Sequence, residues 1–150
     1  MRVLLVPALA LFACLAPSAA GKPDDPVAAE YKALVGNYKV EKVLLGGKDI
    51  TEHLKEMKFE IRDGGKYTAQ VGELKDDATF TADPAKKPKE MDVKPNGGPN
   101  KGQTVKAIYK LEGDTLVLCY DHDKSENRQS KFESPEGTTV LLITYKRVKK

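Results

Sequence analysis

Six- to eight-residue segments that alternate apolar and polar residues, each ended by tight-turn residues, constrain this chain more than any other feature. Met57-Lys58-Phe59-Glu60-Ile61-Arg62 is followed by Asp63-Gly64-Gly65 and then by Lys66-Tyr67-Thr68-Ala69-Gln70-Val71. The pattern recurs at Lys106-Ala107-Ile108-Tyr109-Lys110-Leu111, Glu112-Gly113-Asp114 and Thr115-Leu116-Val117-Leu118-Cys119-Tyr120. Side chains alternate across a strand with period two, so each segment has one apolar and one charged face. Many such strands at short spacing predict an antiparallel sheet closed into a sandwich or barrel.

The first twenty residues stand apart from this pattern. Met1-Arg2 supplies a positive start, Val3 to Leu15 is an apolar run too short for a membrane anchor, and Ser18-Ala19-Ala20 offers small residues for cleavage. A signal peptide over 1–20 is expected, with a polar linker over 21–24 and one domain over 25–150. Two fates follow: free export to the periplasm or the exterior, or lipid anchoring through Cys14, because Leu11-Phe12-Ala13-Cys14 resembles a lipobox. Cleavage after Ala20 leaves about 130 residues, the size of one domain.

The charge excludes some partners. The chain has 25 Lys and Arg against 22 Asp and Glu, and removing the leader takes away only Arg2. A net charge of about +2 gives no basis for nucleic-acid binding. Cys119 becomes the only mature cysteine, so no internal disulfide is expected, and its Leu- and Val-rich strand reads as a buried position.

Along the chain, Asp25-Pro26 reads as a helix cap followed by proline at the first helical position. Val27, Tyr31, Leu34 and Val35 share a helical face, and Gly36 is placed to end the helix in a left-handed cap. Strands are predicted from Asn37 to about Leu45, within 57–71, at 78–82 and 90–93, within 103–121, and from Thr138 to Val148. A short strand is also predicted at 131–133 and a helical turn at 51–56. The last strand is apolar on both faces, so both should be covered. Loops are expected at 95–102 and 121–130.

Segments spread over Ala33 to Lys149 then carry a resemblance. They are Leu34-Val35-Gly36-Asn37-Tyr38-Lys39-Val40, Gly65-Lys66-Tyr67-Thr68 and the run from Asp83 to Asp92. Ala107 to Leu116, Leu118-Cys119-Tyr120 and Leu142 to Lys149 complete the set. With these the chain resembles the planctomycete-type lipocalin-like domain family of uncharacterised exported proteins. The resemblance implies an all-β fold: an antiparallel eight-stranded lipocalin-like, calycin-type barrel with a short N-terminal helix. It implies no established activity or ligand. Lipocalin-like barrels commonly begin with Gly-x-Trp beneath an Arg near the barrel's end. Here Gly36-Asn37-Tyr38 occupies that motif and Arg147 is the natural partner, so Gly36, Tyr38 and Arg147 are expected to close one end of the barrel.

No residue pattern points to catalysis. Asp121, Asp123 and Ser125 have the first spacings of a calcium loop, but Glu126 stands at its glycine position and Phe132 at its bidentate acid. His122 and His53 have no second histidine at zinc spacing. Asp76 and Asp77 are adjacent, so in a strand they point to opposite faces and cannot act as an acid/base pair. No metal, cofactor or catalytic residue is expected, and the chain reads as a non-enzymatic monomer.

The inward face is the candidate functional surface. It comprises Tyr38, Val40, Phe59, Ile61, Tyr67, Ala69, Phe80, Ala82, Met91, Val93, Ala107, Tyr109, Leu111, Leu116, Leu118 and Tyr120. An eight-stranded barrel is wide enough to be filled by its own side chains or to hold one small ligand. Two functions remain open. In one, a small apolar or amphipathic ligand sits in the barrel mouth against Tyr67, Phe80, Tyr109 and Tyr120. In the other, a filled barrel acts as an envelope scaffold or protein-binding inhibitor through loops 95–102 and 121–130.

Overall fold

The computed structural model describes residues 25–98 and 100–149. The expected leader, linker and Cys14 therefore lie outside the described residues. The element order is α1 (Pro26–Leu34), β1 (Gly36–Leu45), β2 (Lys48–Asp49), α2 (Thr51–Leu54), β3 (Lys58–Arg62), β4 (Lys66–Val71) and β5 (Leu74–Asp83). It continues with β6 (Lys89–Pro95), β7 (Val105–Glu112), β8 (Thr115–Asp121) and β9 (Val140–Arg147). No helix among them is long and apolar enough to cross a membrane.

Neighbours in sequence are neighbours in the sheet. Strands β1, β3, β4, β5, β6, β7, β8 and β9 pair in that order, all antiparallel, and β9 pairs back onto β1. The result is a closed eight-stranded lipocalin-like barrel in which each of the eight strands is paired on both sides. The two-residue β2 only extends the β1 hairpin. The whole inward set predicted from alternation lies in the barrel core or packs against it.

Helix α1 closes one end. Asp25 caps it, its carboxylate accepting from the Val27 N–H at 3.0 Å. Tyr31 stacks on Phe80 with ring centroids 5.6 Å apart, and its hydroxyl accepts from the Ala82 N–H at 3.0 Å. Glu30 Oε1 accepts hydrogen bonds from Lys89 Nζ at 2.9 Å and from the Tyr109 hydroxyl at 3.0 Å. These contacts join residues far apart in sequence, so they form only when the barrel has closed.

The helix does not end as expected. Gly36 is the first residue of β1 and has no positive φ, and Val35 at the helix C-terminus is extended. The physical reason is that side chains satisfy the helix's last carbonyls. Tyr38 donates its hydroxyl to Leu34 O at 2.7 Å, and Arg147 Nη2 donates to Ala33 O. These side chains take over two of the carbonyls that a left-handed cap would otherwise help to satisfy. Gly36 is needed for space instead, because a Cβ there would lie 3.0 Å from Arg147 Nε.

Three further differences have local causes. β1 carries a bulge between Val40 and Lys42 opposite β9, so the core positions shift from Tyr38 and Val40 to Val43. β5 begins at Leu74 rather than Ala78, because its polar start at Lys75, Asp76 and Asp77 pairs with β4 near the open end. Residues 131–133 form no strand: the Cys119 thiol donates to the carbonyls of Lys131 (3.6 Å) and Glu133 (3.5 Å), which holds Phe132 against the outer wall. There Phe132 covers Ile108, Cys119, Val140 and Leu142, which explains why β9 is apolar on both faces.

The connection before β9 hangs from Asp121. Its Oδ1 accepts from Thr139 Oγ1 at 2.5 Å and from the N–H groups of Lys124 (3.0 Å) and Asp123 (3.2 Å). Burial pulls its pKa up, but the three hydrogen bonds outweigh that and hold it below the ordinary carboxylate value. A depressed carboxylate stabilises the fold above its unfolded pKa, and that stabilisation is lost as pH falls through the folded pKa. Asp121→Asn is expected to cost about 1–2 kcal/mol at neutral pH, from weakened hydrogen bonds to a charged acceptor. The deficit should begin to shrink below about pH 4, where the unfolded chain's carboxyl protonates, and disappear as pH falls through the lower folded pKa. Urea unfolding at neutral and acid pH checks this; a deficit that does not change with pH would show that the charge is not what matters.

Candidate functional site: a cavity at the open end of the barrel

Inside the barrel, away from α1, lies a cavity of about 290 Å³. Alternation produces it: Ala69, Ala78 and Ala107 point inward between larger residues and leave their volume empty. Its floor is a packed aromatic group. Phe59 stacks on Tyr145 with centroids 4.6 Å apart and meets Tyr67 at 5.0 Å, and Tyr67 meets Phe80 at 6.5 Å. Aliphatic walls come from Ile61, Val93, Leu116, Leu118 and Ile143.

The mouth is built by α2 and by the connections at that end of the barrel. Leu54 projects from α2, which is set by Thr51: its Oγ1 accepts from the Val43 N–H at 2.9 Å. Asp76, Asn100 and His122 supply the polar groups of the rim. Past the rim, the β4–β5 hairpin tip exposes Val71 and Leu74, the latter 80% exposed. Among the described residues, no lysine or arginine lines the cavity.

Three of the four expected ligand-contact residues, Tyr67, Phe80 and Tyr120, line this cavity. Tyr109 does not. It is fully buried at the other end, bonded to Glu30, and burial together with the Glu30 carboxylate pushes its pKa far up. Alternation places Tyr109 on the inward face, but only the docking of α1 sets which end of the barrel it occupies. Sequence reasoning missed Tyr145, Asp76, His122 and Leu54. The signal for Tyr145 was available, since it shares a face with Leu141 and Ile143 on β9.

The expected closing residues meet at the α1 end. The Arg147 guanidinium carbon lies 5.4 Å from the centre of the Tyr38 ring, and Nη2 donates to the Tyr38 hydroxyl at 2.8 Å. Asp114 approaches Arg147 Nη1 at 3.8 Å, while Arg147 Nε is buried with no partner among the described residues.

The calcium-like spacing organises protein groups. Asp121 is occupied by Thr139 and two N–H groups, and Ser125 donates to Gln103 at 3.0 Å. Asp76 lies at the mouth, while Asp77 accepts from Thr68 at 2.5 Å on the outer face.

No family profile, curated protein or solved structure matches this chain.

Proposed function

We propose that this protein is an exported, non-enzymatic lipocalin-like binding protein of the planctomycete type. It takes one small apolar or amphipathic molecule into the barrel. The observation that carries this reading is the cavity of about 290 Å³: one end of the barrel is sealed by α1 and the Tyr38–Arg147 pair, while the other is left unfilled. A volume at the lower end of the usual range for ligand pockets suits a small molecule. Export is supported by the pattern of residues 1–20, with lipid anchoring through Cys14 as the alternative fate.

Loop 121–130 favours the cavity over a scaffold or inhibitor acting through that loop. Loop 121–130 is tied to the barrel wall by Arg128, which donates to Ala107 O at 2.7 Å and bonds Asp92. Those groups are consumed in holding the loop rather than presented to a partner.

Native mass spectrometry of the protein purified from its own host tests this. The chain is expected to carry a small-molecule adduct. Ala107→Phe, which puts a ring into the cavity, should remove the adduct while leaving the far-UV spectrum unchanged. Repeated recovery of the bare wild-type chain would overturn the reading.

A further inference from the structure

The chain has six tyrosines, and they divide into two groups by position. At the sealed end every hydroxyl is engaged: Tyr31 with the Ala82 N–H, Tyr38 with Leu34 O and Arg147, and Tyr109 with Glu30. Tyr67, Tyr120 and Tyr145 all line the cavity, and none of their hydroxyls has a hydrogen-bond partner among the described residues. Arg147 Nε is the one fully buried side-chain polar atom without a partner among the described residues, so these three hydroxyls face open space rather than close-packed protein. Donors turned into an otherwise apolar cavity are placed to orient whatever occupies it.

We propose that the cavity selects a neutral molecule carrying a hydrogen-bond-accepting group, such as a ketone, ester or amide, on an apolar body, with the hydroxyls of Tyr67, Tyr120 and Tyr145 donating to that group. This rests on the binding reading above and names its ligand class.

Three observations favour a neutral acceptor. First, no lysine or arginine among the described residues lines the cavity, so a carboxylate or phosphate would enter without a counter-charge from them. Second, Asp76 stands at the mouth and close enough to Tyr67 to raise its pKa, so the nearest fixed charge repels anions. Third, Asp76 is solvent-exposed at the rim, so a cation held at the tyrosines would leave its hydration shell without gaining a desolvated partner. The hydroxyls remain donors throughout the neutral range. Burial pushes Tyr120 up to about 12, and burial raises Tyr67 and Tyr145 further, each also raised by its tyrosine neighbours in the cavity. Tyr67 and Tyr145 both pack on Phe59, with ring centroids 5.0 and 4.6 Å from it, and Tyr120 lines the same cavity.

Four probes with the same two-ring body separate the possibilities: naphthalene, acetonaphthone, naphthoate and naphthylmethylammonium, titrated into the purified protein by calorimetry. Acetonaphthone should bind tightest. Naphthoate and the ammonium should each bind about tenfold or more weaker than the ketone. Tyr120→Phe and Tyr145→Phe should each weaken ketone binding about threefold to tenfold, the effect of one lost hydrogen bond, and leave naphthalene unchanged. Equal affinity for naphthalene and acetonaphthone would overturn the role of the hydroxyls while leaving a binding cavity in place. Tightest binding by naphthoate or the ammonium would overturn the neutral selectivity. Failure of all four to bind overturns this inference outright, and the native mass spectrum then decides separately whether the broader binding reading falls with it.

Discussion

Tyr38→Ala is expected to lower the free energy of unfolding by about 3–5 kcal/mol, as aromatic truncations in cores do. The ring is 2% exposed and touches Phe59 and Tyr145, with centroids 6.1 and 6.5 Å away. Its loss opens a void beside the aromatic floor and frees the Leu34 carbonyl. Arg147→Ala should cost less, about 1–2 kcal/mol, from lost stacking and lost packing of the side-chain stem. The two residues touch through the ring face and the 2.8 Å hydrogen bond, so the double mutant should be destabilised by less than the sum of the singles. Denaturant unfolding of the four proteins measures the coupling. Strict additivity would mean that the pair does not act as one closure and that α1 is held by Glu30 and Tyr31 alone.

Gly65→Ala should cost about 2–5 kcal/mol, well beyond its neighbour Gly64→Ala at about 1–2 kcal/mol. Both glycines have positive φ, +70° at Gly65 and +78° at Gly64, in the β3–β4 turn, so both substitutions carry a similar left-handed penalty. They differ in their surroundings. A Cβ on Gly64 meets nothing within 4 Å, whereas one on Gly65 would lie 2.3 Å from Phe80 O and 2.9 Å from Tyr31 Cε1. The Phe80 N–H also donates to Gly65 O at 2.7 Å, so this backbone approach locks the turn to β5 beneath the helix. Comparing the two variants by urea unfolding subtracts the conformational penalty and isolates the contact. Equal costs would show that the turn can move away and that α1 does not press on it.

Much of the fold was legible because the physics that sets it is local. Asp25-Pro26 specified the start of α1 through capping chemistry. Gly64-Gly65 and Gly113 marked hairpin turns that lie where the chain reverses. Alternation named the inward faces, and the apolar outer face of β9 announced a cover that proved to be Phe132. The bulge at Val40–Lys42 also left a trace, since the apolar positions of β1 change parity between Val40 and Val43.

The candidate site was legible only in part. Periodicity says which face a residue occupies but not its height along the barrel axis. Height depends on the register between strands and on which end the helix seals. Tyr109 and Tyr67 are equivalent by alternation, yet one is buried against Glu30 and the other lines the cavity. Gly36 shows the same limit, because a glycine after a helix is as consistent with a left-handed cap as with room for an arginine more than a hundred residues later.

The sequence by itself therefore determined most of the strands, their inward faces, the main turns and the start of the helix, though not the absence of a strand at 131–133 or the early start of β5, since each of the former follows from residues within a few positions of one another. Tertiary structure alone decided that β9 returns to β1, that α1 seals one end, and that three tyrosine hydroxyls face the cavity without partners among the described residues. Those outcomes depend on contacts between residues 50 to 110 positions apart, such as Tyr31 with Ala82 and Tyr38 with Arg147, which local sequence patterns do not encode.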